Sequence, residues 1–189
     1  MNIIKTSNSD EVVLEWLKAE LTSERFSPAL KNALKDANED ESIIINANLS
    51  DDTKNRKRLS ILKSYRDWID EGFETLDWGW VELNQMDVDR LKYIDYSYWN
   101  ELSDNTRLVH QAVANIEKGK LVFDVPHDRF RSVAKAVEAG VALPPIILVQ
   151  STHDDSLEIL EGHLRATGYA LAKQAITPLI AIIGKAKSI

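Results

Sequence analysis

The chain contains no cysteine, which removes thiol nucleophiles, structural disulfides and Cys-based metal sites together. Glycine and proline are scarce, at seven and five of 189 residues, and no Gly/Ser linker, low-complexity tract or internal repeat is present. No apolar run reaches the roughly 18–20 residues that a helix needs to cross a bilayer. The opening "MNIIKTSNSDEVV" turns acidic before a signal-peptide core could form. These absences lead to the expectation of a cytoplasmic protein with no membrane partner. Positive charge is also short: the formal net charge is −7, which weighs against a chain that coats nucleic acid. The four histidines (His110, His127, His153, His163) are far apart, without H-x-x-x-H or H-E-x-x-H spacing. No protein-held metal site is expected.

What is present suffices for a folded core. Hydrophobic residues make up 44% and charged residues 28%, which places the chain among globular domains. Its length fits one domain, or one domain with a helical extension. The charge is uneven. From Gly162 onward there are four basic residues (Arg165, Lys173, Lys185, Lys187) and no acid, so the last 28 residues carry +4 and the first 161 carry −11. A positive end on an acidic protein suits a small anion better than a duplex.

The first 119 residues read as mainly helical. Val13, Leu14, Leu17 and Leu21 share one face of a helix from Ser9-Asp10. "SPALKNALKDA" has Ser27 at the N-cap and Pro28 in the first turn. "ESIIINANLS" fits either a strand or a buried loop. A basic helix follows from Asp51, with Lys54, Arg56, Lys57, Arg58, Lys63 and Arg66, and with Leu62, Tyr65 and Ile69 inward. "EGFETLDWGWVELN" reads as an irregular aromatic connection, and Asp87 starts a short helix holding Val88 and Leu91. A further helix carries Leu108, Val109, Ala112, Val113 and Ile116 and stops at Gly119.

From residue 120 to 189 the pattern changes. "KLVFDV" reads as a short strand, "DRFRSVAKAVEAG" as a helix, and "PPIILVQ" as a buried strand. "STHDDS" is a polar turn that exposes His153, "LEIL" a returning strand, 163–174 a helix, and "TPLIAIIG" a last strand. The short turn makes the middle pair antiparallel, so the sheet is mixed. The expected class is α+β: a small mixed sheet with packed helices, plus an N-terminal helical extension.

The segment that carries chemistry is "LEGHLRATG". A glycine at a strand-to-helix joint lets an anion approach the unpaired amides and positive dipole of the first helical turn. His163 and Arg165 add donors, the latter as a bidentate fork. Glu161 would coordinate Mg²⁺ or accept a proton. The plain alternative is an ordinary corner, in which Arg165 pairs with Glu161 or Glu158 and His163 caps the turn.

"PPIILV…LEILEGHLRATGYALA…TPLIAII" resembles the ParB/sulfiredoxin-like superfamily, in which a Pro-led strand, a hairpin, a strand ending in a G-x-x-R-type motif, a helix and a closing strand follow in this order. The resemblance covers about Leu121 to Gly184, and Gly162 and Arg165 match as motif residues. Partition proteins of the ParB type have G-E-R-R-x-R-A where this chain has Gly162-His163-Leu164-Arg165-Ala166-Thr167-Gly168, with one arginine of the three. Sulfiredoxins have G-C-H-R, and here His163 stands at the cysteine. The D-G-H-H-R form of ParB-like small-molecule kinases and other ParB-like proteins is the nearest pattern. The resemblance implies phosphate binding by Gly162, His163 and Arg165, with Glu161 and His163 as catalytic candidates and Mg²⁺ arriving with a nucleotide.

Other segments offer candidates. Tyr96, Tyr98 and Trp99 precede Ser103, Asp104 and Asn105, which would cap the helix carrying Arg107 and His110. The aromatic residues could stack a base or join the helical half to the sheet. "HDRFRS" (His127, Asp128, Arg129, Arg131) could line the same pocket or simply start a helix, with Asp128 as cap. Arg107 and Arg129 are therefore candidate outer residues of the site. The helix Lys54–Arg66 could touch nucleic-acid backbone or be a solvated face. Trp16, Trp68, Trp78, Trp80 and Trp99 are most simply core. The expected function is binding of a nucleotide or other phosphate-bearing ligand at 161–165, and the matching enzyme class is a phosphotransferase or nucleotide hydrolase. The alternatives are a non-catalytic protein-interaction module and a DNA-binding or nuclease ParB-like protein.

Overall fold

The computed structural model describes residues 1–66 and 71–186. Trp68, Ile69 and Lys187 lie outside the described residues. The described residues divide into two compact units, one made of 1–6 with 79–186 and the other of 7–66 with 71–78. Residues 120–186 of the region read as α+β share the first unit with 79–119.

The sheet belongs to the first unit. Its strands are β1 (Asn2–Ser7), β2 (Asp77–Leu83), β3 (Leu91–Tyr93), β4 (Ile146–Gln150), β5 (Leu157–Glu161) and β6 (Leu179–Lys185), in the order β1-β2-β6-β4-β5-β3. The short 151–156 turn makes β4 and β5 antiparallel, as expected, while β4 pairs with β6 and β3 with β5 in parallel. The protein is thus α+β with a six-stranded mixed sheet. Alternate residues of the strands (Leu91 and Tyr93, Ile146 and Leu148, Leu157 and Ile159, Ala181 and Ile183) form one core with Val109, Ala112, Ile116, Phe130 and Ala166 from the helices. Ile147 and Ile182 point to the other face and are buried as well. That explains why β4 and β6 read as continuous apolar runs rather than alternating ones.

The helices of this unit are α5 (Gln85–Val88), α6 (Ser97–Leu102), α7 (Val109–Glu117), α8 (Asp128–Glu138) and α9 (His163–Leu171). An alanine Cβ at Gly168 would stand 2.5 Å from Val133 and 3.1 Å from the Phe130 carbonyl, so glycine permits the α8–α9 approach.

In the second unit lie α1 (Ser9–Leu21), α2 (Ser27–Asp36), α3 (Ser42–Ile45), α4 (Asp52–Tyr65) and a 3₁₀ turn (Glu71–Thr75). Asn8 caps α1 by accepting from the Glu11 amide, and Asp51 caps α4. Its core includes Trp16, Leu17, Leu30, Leu34, Ile44 and Leu62. Glu20 is fully buried and accepts from Trp16 Nε1 (2.9 Å), Tyr65 Oη (2.6 Å) and the Arg66 guanidinium.

Several expectations need correction. Besides their helices, the first 119 residues supply β1, β2 and β3, half of the strands. "DWGWVEL" is β2 rather than an irregular connection: aromatic and β-branched residues fit a pleated, partly buried surface. Leu91 starts β3 and lies beyond α5, which opens with a capping box between Asn84 and Asp87. "ESIIINANLS" contains the short helix α3. "KLVFDV" is not a strand but a tight turn: Val122 and Val125 bridge each other, and Phe123 and Asp124 have φ of 52° and 55°. Three expected caps are displaced as well. Phe26 precedes α2, His127 precedes α8, and Leu108 precedes α7 while bridging Lys92.

Candidate functional site

Gly162 joins β5 to α9 at φ 95°, and its carbonyl accepts the Ala166 amide at 2.8 Å. A Cβ here would lie 2.5 Å from Ile146 Cγ2 and 2.9 Å from Ile146 Cβ. The joint therefore requires glycine for its backbone conformation and for its packing against β4. Glycine at this position is thus explained without any ligand.

Arg165 turns back across the corner. Its guanidinium donates to the Glu161 carboxylate and to the Pro145 carbonyl (3.1 Å), and both members of the ion pair are largely buried, at 15% and 12% exposure. Its Nε is buried and makes no hydrogen bond. Of the partners considered from the sequence, Arg165 takes Glu161. Glu158 instead accepts from Arg107. The two arginines are thus held by different carboxylates of β5. Arg107 is not on a helix: it has φ 62°, its carbonyl accepts the Tyr93 amide (2.8 Å), and its Nε donates to the Tyr93 carbonyl (2.7 Å). It straps the end of β3.

His163 lies in an aromatic stack. Its ring is 5.4 Å from Trp99 and 6.1 Å from Tyr93, at interplanar angles of 11° and 14°, and Trp99 and Tyr93 stack at 4.3 Å. Tyr98 meets Trp99 edge-on, and Phe130 connects Trp99 to His127. The fold thus brings the "YSYW" segment, "HDRF" and the 161–165 corner together, which the sequence raised as a question. Thr167 donates to the His163 carbonyl (2.7 Å), so the Tyr93 hydroxyl must be the donor in its 2.8 Å contact with Thr167. Burial pushes the Tyr93 phenol well above its ordinary range. Thr167 is fully buried and Leu164 is exposed.

Tyr93 is the participant that sequence reasoning missed. It comes from a three-residue strand about 70 positions before the corner, and no local pattern marks it. Ser103 accepts the Arg107 amide (2.9 Å), and Asp104 accepts from Lys120, Asn115 and Gln111, which hold its carboxyl below the usual range. His127 is buried with Nε2 on the Lys120 carbonyl (2.5 Å), Arg131 reaches the Ile116 carbonyl, and Arg129 is exposed on α8. His110 contacts the Asp89 carbonyl, and His153 is exposed, as expected.

The basic helix α4 is less of a cationic face than its composition suggests. Arg58 is fully buried and donates to the Ile43 (2.9 Å) and Asn48 (3.3 Å) carbonyls and to Asn55, while Lys57 pairs with Glu39 and Arg66 with Glu20. Burial pulls Arg58 below its ordinary range, against the opposing attraction of Asp10 and Asp51. Lys54 and Arg56 are exposed.

Among the described residues, no three or more His, Asp and Glu side chains are grouped to hold a metal ion, and no helix is long and apolar enough to cross a membrane. Comparison with family models, curated proteins and solved structures finds no match.

Proposed function

We propose that the first unit is a ParB-like module that binds a nucleotide or other phosphate-bearing small molecule at Glu161–Arg165. The observation that carries this reading is Arg165 itself. It is a largely buried guanidinium at the first turn of α9, with Nε making no hydrogen bond and with the Glu161 carboxylate as its ion-pair partner. The order β4, turn, β5, Gly162 corner, α9, β6 supports the resemblance to the ParB/sulfiredoxin-like superfamily. A phosphate would compete with Glu161 for Arg165, while the amides following Gly162 and the helix dipole add attraction. Phosphoryl transfer or phosphodiester hydrolysis is the matching chemistry, with Arg165 stabilising developing charge and Glu161 or His163 handling a proton. Any Mg²⁺ would arrive with the nucleotide.

The test is a thermal-shift series with nucleoside triphosphates and Mg²⁺, and with sugar phosphates. Wild type should be stabilised, and Arg165→Ala should lose the shift. Glu161→Gln, which releases Arg165 without emptying the corner, should increase the shift given by inorganic phosphate. Binding retained in Arg165→Ala would exclude this site. No shift with any of these ligands would favour the second reading.

That second reading is a non-catalytic interaction module, and it rests on the 122–125 turn. Phe123 is 69% exposed at φ 52°, between the exposed Leu121 and Val125, while the Val125 amide closes the turn on the Val122 carbonyl (3.0 Å). A large aromatic residue in the left-handed region costs about 1–2 kcal/mol, and such strain commonly accompanies a contact site. Replacing Phe123-Asp124 by Asn-Gly, the pair preferred where both central residues have positive φ, should stabilise the fold by about 1 kcal/mol, read from denaturant midpoints. Unchanged or lower stability would remove the strain argument.

A further inference from the structure

We infer that β1 is a pairing edge through which two copies of this chain associate, adding strand to strand in antiparallel fashion. The two ends of the sheet are treated differently. At the β3 end the chain closes its own edge: the Tyr93 amide donates to the Arg107 carbonyl (2.8 Å), and Lys92 bridges Leu108. At the other end β1 is the terminal strand, and five of its six residues are exposed. Ile3 and Ile4 are exposed at 72% and 51%. Consecutive strand residues point to opposite faces, so each face of the edge presents an apolar side chain.

Edges of this kind are normally guarded by proline, a bulge or an outward lysine. β1 contains no proline and no acid, and its one charge is Lys5. The Lys5 ammonium lies 4.9 Å from the centroid of the Trp80 ring, drawn over the neighbouring strand and away from the outer edge. What remains along that edge is a row of backbone donors and acceptors, whose natural complement is another strand.

The sequence of β1, Asn-Ile-Ile-Lys-Thr-Ser, identifies that strand as a second β1. With a two-fold axis through Ile4, Ile4 faces Ile4, Ile3 faces the methylene stem of Lys5, and Asn2 faces Thr6. Apolar meets apolar and polar meets polar, and each ammonium is already occupied with its own Trp80. An axis through Lys5 would set ammonium against ammonium and Ile4 against Thr6, and one through Ile3 would set Asn2 against Ile4, so the match would be lost. One strand pair and four isoleucines form a small interface beside the roughly 1,200–2,000 Å² of stable complexes, so association depends on concentration. Each chain carries −7, so added salt should favour the dimer by screening repulsion.

The absence of cysteine makes the test clean. Opposed Cα atoms of antiparallel strands lie about 4.5–5.5 Å apart, within the range of a disulfide. Ile4→Cys in the full chain should therefore form a covalent dimer under mild oxidation, and Asn2→Cys, placed off the axis, should not. Wild type should show rising mass with concentration in sedimentation equilibrium. Ile4→Lys should remain monomeric with unchanged circular dichroism and melting. A wild-type monomer up to the solubility limit would overturn the proposal. So would equal cross-linking of the two cysteine variants, or a dimer that survives Ile4→Lys.

Discussion

Gly162→Ala should lower stability by about 2–5 kcal/mol, the combined cost of a left-handed backbone for a residue with a Cβ and of overpacking a core. Gly162 has φ 95°, and its new Cβ would stand 2.5 Å from Ile146 Cγ2 and 2.9 Å from Ile146 Cβ. Ile146 is fully buried at the start of β4, so it cannot swing aside as a surface side chain would. Two contrasts identify the cause. Gly168→Ala has no left-handed backbone to strain, and alanine is worth about 1 kcal/mol over glycine inside a helix. Its Cβ would nevertheless meet Val133 at 2.5 Å, so a net loss is expected there as well. At Gly72 a Cβ meets nothing within 4 Å, and alanine should be nearly neutral. Chemical denaturation with circular dichroism would rank the three. A Gly162→Ala protein as stable as wild type would show that the corner relaxes, and would undo the account of why glycine stands there.

Glu20→Ala should cost about 3–5 kcal/mol, the range for removing one partner of a buried ion pair. The carboxylate is fully buried and satisfies Trp16 Nε1, the Tyr65 hydroxyl and the Arg66 guanidinium together. Removing it leaves a cation, a hydroxyl and an indole N–H facing a cavity, and each buried donor left unsatisfied adds its own penalty. Arg66 also lies 3.7 Å from the centroid of the Phe26 ring, so the guanidinium is held on a second side and cannot leave freely for water. Replacing Arg66 as well, in Glu20→Leu/Arg66→Met, should recover much of the loss, since a buried pair exchanged for apolar residues is often close to neutral. The measurement is a double-mutant cycle on denaturant midpoints, read from tryptophan fluorescence in the second unit. Additive losses would show that the two groups are not coupled.

Legibility followed how local the signal of each element is. The run from β4 to β6 was readable because its signals are local: a Pro-led apolar run, a polar turn, a second apolar run, a glycine and a helical period. The helices α1, α4, α7 and α8 were also readable, from apolar spacing at three and four residues. The strands β1, β2 and β3 were not. β1 is exposed along five of six residues and carries no alternation, β2 mixes tryptophans with acids, and β3 is three residues long. At the candidate site, Gly162 and Arg165 were visible as a pattern, and the pairing of Arg165 with Glu161 was one of the partners considered. The stacking of His163 on Trp99 and Tyr93 was not visible, because those rings arrive from other parts of the chain.

By itself the sequence determined composition-level facts and local grammar. It excludes thiol and disulfide chemistry, shows an acidic chain with a basic end, and places a glycine and an arginine at a strand-to-helix joint. Tertiary structure decided what those residues do in the folded chain. Glycine is required by the closeness of Ile146, Arg165 is drawn to Glu161 and the Pro145 carbonyl, and Arg58 disappears from the surface of a helix that reads as basic. The physical reason is common to all three. Periodicity and propensity act over a few residues, whereas a side chain's partners are set by which distant backbone the core brings beside it.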